Sequence, residues 1–227
     1  MTFHPRSLLD KELNRVRTDI LRLSSLVDTA IEQALNALYK RNVLLAHQVV
    51  AADEEINHLR YTIEDECMRI LATQHPAAID LRTVIAAIHL AVELERIGDH
   101  ASGIARLVER MEDEDTIDSL HKLPKMANRA RAMVQESITA FMQSDVGLAE
   151  EMIRRDDKLD RQYRKFSRQL LAEMRDEEYL RRANFLLWVG HNLERIGDRA
   201  TNIAERVIFM VKNEFVEIMP DFLDSDD

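Results

Sequence analysis

The sequence has few residues of the kinds that interrupt helices or favour strands. Among its 227 residues are only 5 Gly and 4 Pro, and aromatic residues make up 5%. Gly and Pro break helices, whereas aromatic residues are enriched in strands. Apolar residues instead recur at i, i+3, i+4 and i+7 through most of the chain. We therefore expect an all-α protein with almost no sheet, long enough for one large or two small domains.

The sequence also lacks the features of secreted and membrane proteins. Its one cysteine, Cys67, cannot form an internal disulfide, and its apolar spacing predicts a small buried side chain. The longest uncharged runs, residues 83–92 and 183–193, are shorter than the roughly 20 residues that span a bilayer. No signal-peptide core precedes Asp10. We expect a cytoplasmic protein that reaches a membrane only through partners.

Basic residues are too few to suggest a nucleic-acid-binding protein. The 41 Asp and Glu residues exceed the 31 Lys and Arg residues and give a net charge of -10. This charge repels phosphate backbones. A nucleic-acid partner is therefore not expected.

An internal repeat is the most informative feature that is present. The hexamer LERIGD occurs at residues 94–99 and again at 193–198, an offset of 193 - 94 = 99. Upstream, the acidic segments that begin at Asp53 and Asp156 align at an offset of 156 - 53 = 103. The offsets predict two copies of one three-helix unit, at 1–115 and 116–217, with a hinge near 112–116 and an acidic tail at 218–227. The expected helices are 8–40, 44–74, 78–112, 120–143, 147–175 and 177–213.

Pairs of acidic residues recur at helical spacing in both copies. Four positions separate the members of each pair in the LERIGD segments, so both carboxylates project from one helix face. The apolar stripe of the same helices points elsewhere, which places the pairs toward a groove or solvent. These pairs are Glu95 with Asp99 and Glu194 with Asp198. The preceding helix of each copy offers further oxygen ligands at the same spacing, namely Asp53, Asn57, Asp156 and Asp160.

Aligned on antiparallel helices, these side chains would form an oxygen-rich site in each copy. Carboxylates without thiolate favour iron, manganese, magnesium or calcium over a structural zinc site. Gly98 and Gly197 interrupt strongly helical stretches, so we expect them to permit close helix approach. Trp188 and its apolar neighbours are expected to pack in the helix core.

The repeated residues are specific enough to indicate a family. The chain resembles PhoU, the accessory regulator of the bacterial high-affinity phosphate transporter. The resemblance rests on LERIGDHASGIA at 94–105, LERIGDRATNIAERV at 193–207 and HPAAIDLR at 75–82. It implies two tandem three-helix bundles with pseudo-twofold symmetry and multinuclear metal clusters on surface E(D)-x-x-x-D motifs.

Carried over to this chain, the resemblance assigns one metal cluster to each copy. The second would use Asp156, Asp160, Glu194 and Asp198. The first would use Asp53, Glu95 and Asp99, where Asn57 departs from the acidic pattern and should weaken or shrink the cluster. We expect iron as the cofactor, with manganese, magnesium and zinc as alternatives.

The resemblance also implies a function without catalysis. PhoU-like proteins couple the cytoplasmic ATPase subunit of the phosphate ABC transporter to a membrane sensor histidine kinase, and they repress phosphate-starvation genes when phosphate is plentiful. We expect this chain to be such a negative regulator. Whether it forms a homodimer is left open.

Two other interpretations stay open on the sequence alone. A ferritin-like di-iron enzyme needs Glu-x-x-His on two helices, and the chain offers this pattern only at Glu55 and His58. The second copy has Lys158 and Arg161 there, so the duplication does not complete that site. The other alternative is a metal-free helical scaffold whose acidic pairs only face solvent. Besides these carboxylates, His58 or His100 could assist a metal.

Overall fold

The described part of the chain folds into six α-helices. The computed structural model describes residues 5–111, 122–173 and 177–215, and no strand occurs in these ranges. The predicted hinge at 112–116 and the acidic tail at 218–227 lie outside the described residues. The helices are α1 (Pro5–Lys40), α2 (Val43–Gln74), α3 (Ile79–Arg110), α4 (Leu123–Gln143), α5 (Val146–Glu173) and α6 (Glu177–Lys212). They confirm the all-α prediction of two tandem three-helix bundles, α1–α3 and α4–α6.

The first connection of each bundle is built in the same way. Arg41 and Ser144, 103 positions apart, both take left-handed backbone angles, with φ of 51° and 54°. The next residue then caps the following helix, because Asn42 Oδ1 accepts from the Leu45 amide at 3.0 Å and Asp145 Oδ1 accepts from the Leu148 amide at 3.0 Å. The shared turn makes α1 antiparallel to α2 and α4 antiparallel to α5.

The centre of the molecule is formed by α3 and α6, each of which packs against both other helices of its own bundle and against the other. The predicted apolar stripes of these two helices are buried. Every residue of the stripes is at most 2% exposed: Leu94, Ile97, Ala101, Ala105 and Val108, and Leu193, Ile196, Ala200, Ala204 and Val207.

The polar contacts between α3 and α6 follow the pseudo-twofold relation of the repeat. Glu93 Oε2 of α3 lies 3.4 Å from Arg199 Nη1 of α6. At the two positions related by the offset of 99, Asn192 Oδ1 of α6 lies 3.0 Å from His100 Nδ1 of α3. The two equivalent contacts therefore differ in chemistry. Glu93 and Arg199 form an ion pair, whereas His100 and Asn192 form a hydrogen bond.

Two single-residue expectations have opposite outcomes. Cys67 is fully buried, as predicted, and burial raises the pKa of its thiol to about 12, which leaves it protonated. The prediction for Trp188 is wrong, because its side chain is 54% exposed. Leu186 and Val189 fill the core positions of this turn of α6, so Trp188 points outward. Over the described residues, no helix has an apolar stretch long enough to cross a membrane.

Candidate metal centres

A glycine in the third helix of each bundle lets the second helix approach closely. A Cβ atom at Gly98 would lie 3.0 Å from Ile56 Cδ1 and 3.4 Å from Asp53 Oδ1. A Cβ atom at Gly197 would overlap Leu159 and lie 3.3 Å from Asp156 Oδ1. This confirms the predicted role of both glycines. The close approach is also what brings carboxylates of α2 and α5 against those of α3 and α6.

The second cluster gathers three carboxylates at one point. Oxygen atoms of Asp156, Asp160 and Asp198 lie within 4.8 Å of one another, all on partly buried side chains. Across the described ranges of the chain, this is the one group of three or more Asp, Glu, His or Cys side chains with such spacing. Glu194, one turn before Asp198, stands outside this group of three but close enough to interact with it electrostatically.

Burial and mutual repulsion dominate the electrostatics of the second cluster. Burial, and after it the carboxylates of Asp160 and Asp198, raise the pKa of Asp156 to about 7. Burial, followed by the same two carboxylates, also raises the pKa of Glu194 to about 7. Burial raises the pKa of Asp198 as well, opposed by Arg195, whose Nη1 lies 2.6 Å from Asp198 Oδ2. The cluster therefore holds more negative charge than its surroundings neutralise.

The first cluster has the same backbone placement but more compensation. Asn57 Nδ2 donates to the backbone oxygen of Asp53 at 3.0 Å and lies 3.3 Å from its Oδ2. Arg60 Nε lies 3.9 Å from Glu95 Oε1. Burial raises the pKa of Asp53, and the carboxylate of Asp99 adds to this shift. The amide and the guanidinium thus take up part of the charge that a cation would otherwise neutralise.

Several residues at the clusters are not apparent from the acidic spacing. A neighbouring hydroxyl group opposes the rise in pKa of the first aspartate in each copy. This neighbour is Ser102 for Asp53 and Thr201 for Asp156. His191 Nδ1 lies 3.3 Å from Glu194 Oε2 without the geometry of a hydrogen bond. The repeat offset of 99 relates Ser102 to Thr201, so the duplication itself contained the signal for that pair.

Other candidate ligands do not join the clusters. Glu55 is exposed and its Oε1 accepts from Arg22 Nη2 at 2.9 Å, and His58 is exposed as well. Neither points into a bundle core, where a ferritin-like site would lie. His100 lies in the contact between α3 and α6, bonded to Asn192.

The second cluster has the chemistry of a hard-cation site. Buried oxygen atoms of Asp156, Asp160 and Glu194 have no hydrogen-bond partner. Leaving buried charged oxygen atoms unpaired is costly. Calcium, magnesium, manganese and iron bind such oxygen atoms. The first cluster has one such atom, Asp53 Oδ1, and fits a cation less well.

The family is decided by comparison with known proteins. A sequence model of the PhoU domain matches this chain twice, over residues 20–108 and 123–207. The chain belongs to the PhoU family. The two PhoU domains coincide with the two bundles, from within α1 to within α3 and from the start of α4 to within α6.

Relatives with the PhoU name resemble the chain over nearly its full length. A phosphate-specific transport system accessory protein PhoU homolog from Pseudomonas aeruginosa is 36% identical over 214 residues, which is 93% of this chain and 88% of the relative. A homolog of the same name from Clostridium acetobutylicum is 30% identical over 215 residues, 94% of this chain and 98% of the relative.

Solved PhoU structures have the same fold. The crystal structure of PhoU from Pseudomonas aeruginosa is 37% identical in sequence, with a TM-score of 0.85 over 90% of this chain and 99% of that chain. The phosphate transport system regulatory protein PhoU from Streptococcus pneumoniae is 29% identical, with a TM-score of 0.87 over 92% of this chain and 100% of that chain.

Proposed function

We propose that this chain is a non-enzymatic negative regulator of phosphate uptake and phosphate-starvation signalling. In this proposal it acts in the cytoplasm, where it links the ATPase subunit of the phosphate ABC transporter to a sensor histidine kinase. Membership of the PhoU family, together with relatives named as phosphate transport accessory and regulatory proteins, supports this role.

We further propose that Asp156, Asp160, Glu194 and Asp198 hold metal ions. The single observation that carries this step is the group of three carboxylates within 4.8 Å, with buried oxygen atoms that lack hydrogen-bond partners. A bound cation would offset the repulsion among these carboxylates and tie α5 to α6. Asp53, Asn57, Glu95 and Asp99 would form a smaller or weaker site. Iron is the first candidate, and manganese, magnesium and zinc are the alternatives.

The surface beside the second cluster supports a docking role for the metal-loaded protein. Trp188 is 54% exposed, and its ring lies 5.9 Å from that of His191 in an edge-on arrangement. Tyr163 lies on the other helix, with its ring 6.1 Å from that of His191. Exposed aromatic side chains next to polar groups are typical of protein interfaces. The metal would fix the helices that present this surface.

Metal content tests the site directly. The purified chain and the Glu194→Gln/Asp198→Asn variant are equilibrated with iron, manganese or zinc, desalted and analysed for metal. The Glu54→Gln/Asp157→Asn variant is the control, because it removes two exposed carboxylates next to the clusters. We expect bound metal in the wild type and the control and its loss in the cluster variant. Equal and negligible metal in all three would contradict the site.

Regulation is tested in a bacterial host that lacks its own PhoU and expresses a starvation-gene reporter. The wild type and the control variant should repress the reporter in high phosphate and bind the transporter ATPase in pull-down assays. A variant with all four second-cluster carboxylates replaced by amides should lose both activities. If that variant bound and repressed normally, the metal-dependent docking surface would be wrong. If the wild type itself did not repress, the regulatory role would be wrong.

A further inference from the structure

A cleft between α4 and α5 has properties that the metal clusters do not explain. Its volume is about 470 Å³, which is in the range of small-molecule sites. Phe166 and Met126 form an apolar floor and are each only 2% exposed. Three lysines, Lys122, Lys125 and Lys165, line the same cleft. A cleft with an apolar base and a basic rim favours an anionic ligand with an apolar part.

Within the described ranges, no acidic side chain pairs with the lysines of this cleft. Lys125 and Lys165 form no ion pair with any residue in the described parts of the chain, although the chain has a net charge of -10. The ammonium group of Lys122 donates to Gln169, a neutral side chain. Three lysines without an ion pair to any described residue therefore surround one cleft of an acidic chain.

The first bundle differs at the equivalent positions. The offset of 103 relates Lys165 to Thr62 and Gln169 to Glu66. Glu66 is 5% exposed, and its Oε1 lies 3.2 Å from Arg15 and 3.3 Å from Arg69. In the first-bundle cleft, both arginines are thus paired with acidic side chains, Arg15 with Glu66 and Arg69 with Glu12 and Glu66. The second bundle has a lysine in place of the threonine and a glutamine in place of the acid.

Helix length helps to explain why the two clefts have different linings, although their volumes are similar, about 430 Å³ in the first bundle and about 470 Å³ in the second. Helix α1 has 36 residues and α4 has 21, and the two helices end at equivalent positions. Helix α4 therefore begins 36 - 21 = 15 residues later than α1 does in its own bundle. The N-terminal turns of α1 supply Arg15, whereas α4 begins at Leu123, at the edge of the cleft.

The beginning of α4 adds to the positive potential. Among the described residues, no side chain caps the first turn, which starts after Lys122 and includes Pro124, a residue without an amide hydrogen. Unpaired amide groups at a helix N-terminus favour anions, and phosphate in particular. The lysines and this helix end face the same cleft.

We propose that the cleft between α4 and α5 binds a small organic phosphate, such as a nucleotide. The phosphate groups would contact the lysine ammonium groups and the start of α4, and the organic part would lie on Phe166 and Met126. The amide groups of Gln162 and Gln169 would donate and accept hydrogen bonds. This ligand would be additional to the metal ions and independent of them.

The test is titration calorimetry with ATP in buffer that contains EDTA, so that metal cannot bridge ATP to the acidic clusters. The cleft variant is Lys125→Gln/Lys165→Thr, which gives position 165 the residue of the first bundle. The control is Lys11→Gln/Lys40→Gln, which removes the same charge elsewhere. Thermal melting of each sample verifies that the variants are folded.

We expect saturable ATP binding by the wild type and the control, weakened in the cleft variant by about tenfold for each lysine. Tripolyphosphate should bind more weakly than ATP, because it has no organic part. The proposal is overturned if no saturable binding occurs at millimolar ATP, or if the cleft variant and the control bind equally. Equal affinity for tripolyphosphate and ATP would overturn the role of the apolar floor.

Discussion

The two acidic clusters share one backbone design and differ in how their charge is balanced. In both bundles, a glycine one turn after an acidic residue brings the second helix against the third. The second cluster then has Asp160 and Tyr163 at the positions where the first has Asn57 and Arg60. One copy thus has an additional carboxylate, and the other has an amide and a further guanidinium in its place. Duplication preserved the geometry while the electrostatics diverged.

The largest test of this comparison is to give the first cluster the residues of the second. The Asn57→Asp/Arg60→Tyr variant adds a carboxylate and removes a cation. It is made in a chain whose second cluster carries Glu194→Gln/Asp198→Asn. We expect its affinity for manganese, measured by equilibrium dialysis, to rise by at least about tenfold, since each charge change favours the bound cation.

The matched control for this exchange places a carboxylate outside the cluster. Ala52→Asp adds the same charge at an exposed position of α2. It should change manganese affinity far less than Asn57→Asp. Equal gains from the two substitutions would mean that overall charge, rather than the composition of the cluster, determines binding. In the reciprocal direction, Asp160→Asn should weaken metal binding in an otherwise wild-type chain.

The pH dependence of stability should also differ between the two clusters. In the metal-free protein, the pKa values of Asp156 and Glu194 are raised to about 7, so the folded chain binds more protons than the unfolded chain between the usual carboxyl pKa and about 7. Stability should therefore increase as pH falls from 8 toward 5, and the gain should be lost as pH rises through about 7. Urea unfolding in EDTA measures this dependence.

Amide substitutions identify the groups responsible for the pH dependence. Asp156→Asn/Glu194→Gln should flatten the dependence above pH 5. Asp53→Asn/Glu95→Gln in the first cluster should flatten it less, because the pKa shifts of these two groups are opposed by Asn57 and Arg60. If Asp53→Asn/Glu95→Gln flattened the pH dependence more than Asp156→Asn/Glu194→Gln did, the first cluster would be its main source.

The glycines provide a smaller, structural contrast. Gly197→Ala would place a methyl group into the fully buried side chain of Leu159, and we expect it to destabilise the protein by about 1–3 kcal/mol. At Gly98 the nearest atom, Ile56 Cδ1, is 3.0 Å away. The gain in helix propensity, about 1 kcal/mol, should then offset most of the strain in Gly98→Ala.

Urea midpoints of the two alanine variants in the presence of EDTA measure this difference without a contribution from metal. Gly147→Ala is a suitable control, because Gly147 lies in the first turn of α5 and only Asp145 is near its added Cβ. Equal destabilisation by Gly98→Ala and Gly197→Ala would show that the two helix contacts are equally tight.

Most of the fold could be predicted because the helical signals are local and repeated. The scarcity of glycine and proline, the apolar spacing and the recurring LERIGD segment predict six helices in two copies, and the predicted boundaries fall within three residues of the observed ones where these are described. The outward position of Trp188 could not be predicted in this way. Neighbouring positions on α6 are almost all apolar, so periodicity alone does not tell which of them face the core.

The sequence could predict which residues form the candidate site, but not how the charge of its carboxylates is compensated. Acidic spacing and the repeat predict which carboxylates face each other across two helices. They do not predict that Arg60 of α2 approaches Glu95 of α3, because this contact depends on how side chains of different helices meet. Aligning the two copies shows that Tyr163 stands at the position of Arg60. Only the folded structure shows that Arg60 lies beside the carboxylate of Glu95.

The smallest expected effect concerns a contact between the two copies. Asp28 of α1 and Arg131 of α4 occupy equivalent positions, 131 - 28 = 103 apart, and pair with each other through two contacts of 2.8 Å. Glu32 adds a third contact of 2.8 Å to Arg131. Identical charges at these equivalent positions would repel, so this divergence favours pairing of the two different bundles within one chain.

Exchanging the two charges tests whether their pairing or their individual positions matter. Arg131→Ala should lower the free energy of unfolding by about 1 kcal/mol, because the pair is partly exposed. The Asp28→Arg/Arg131→Asp variant should recover most of this loss, since it restores opposite charges in the same contact and keeps Glu32 one turn from the new arginine. If the exchanged variant were as unstable as Arg131→Ala, the charge required at each position would be determined by its other neighbours and not by the pair. The contact would then contribute nothing to the choice of partner between the bundles.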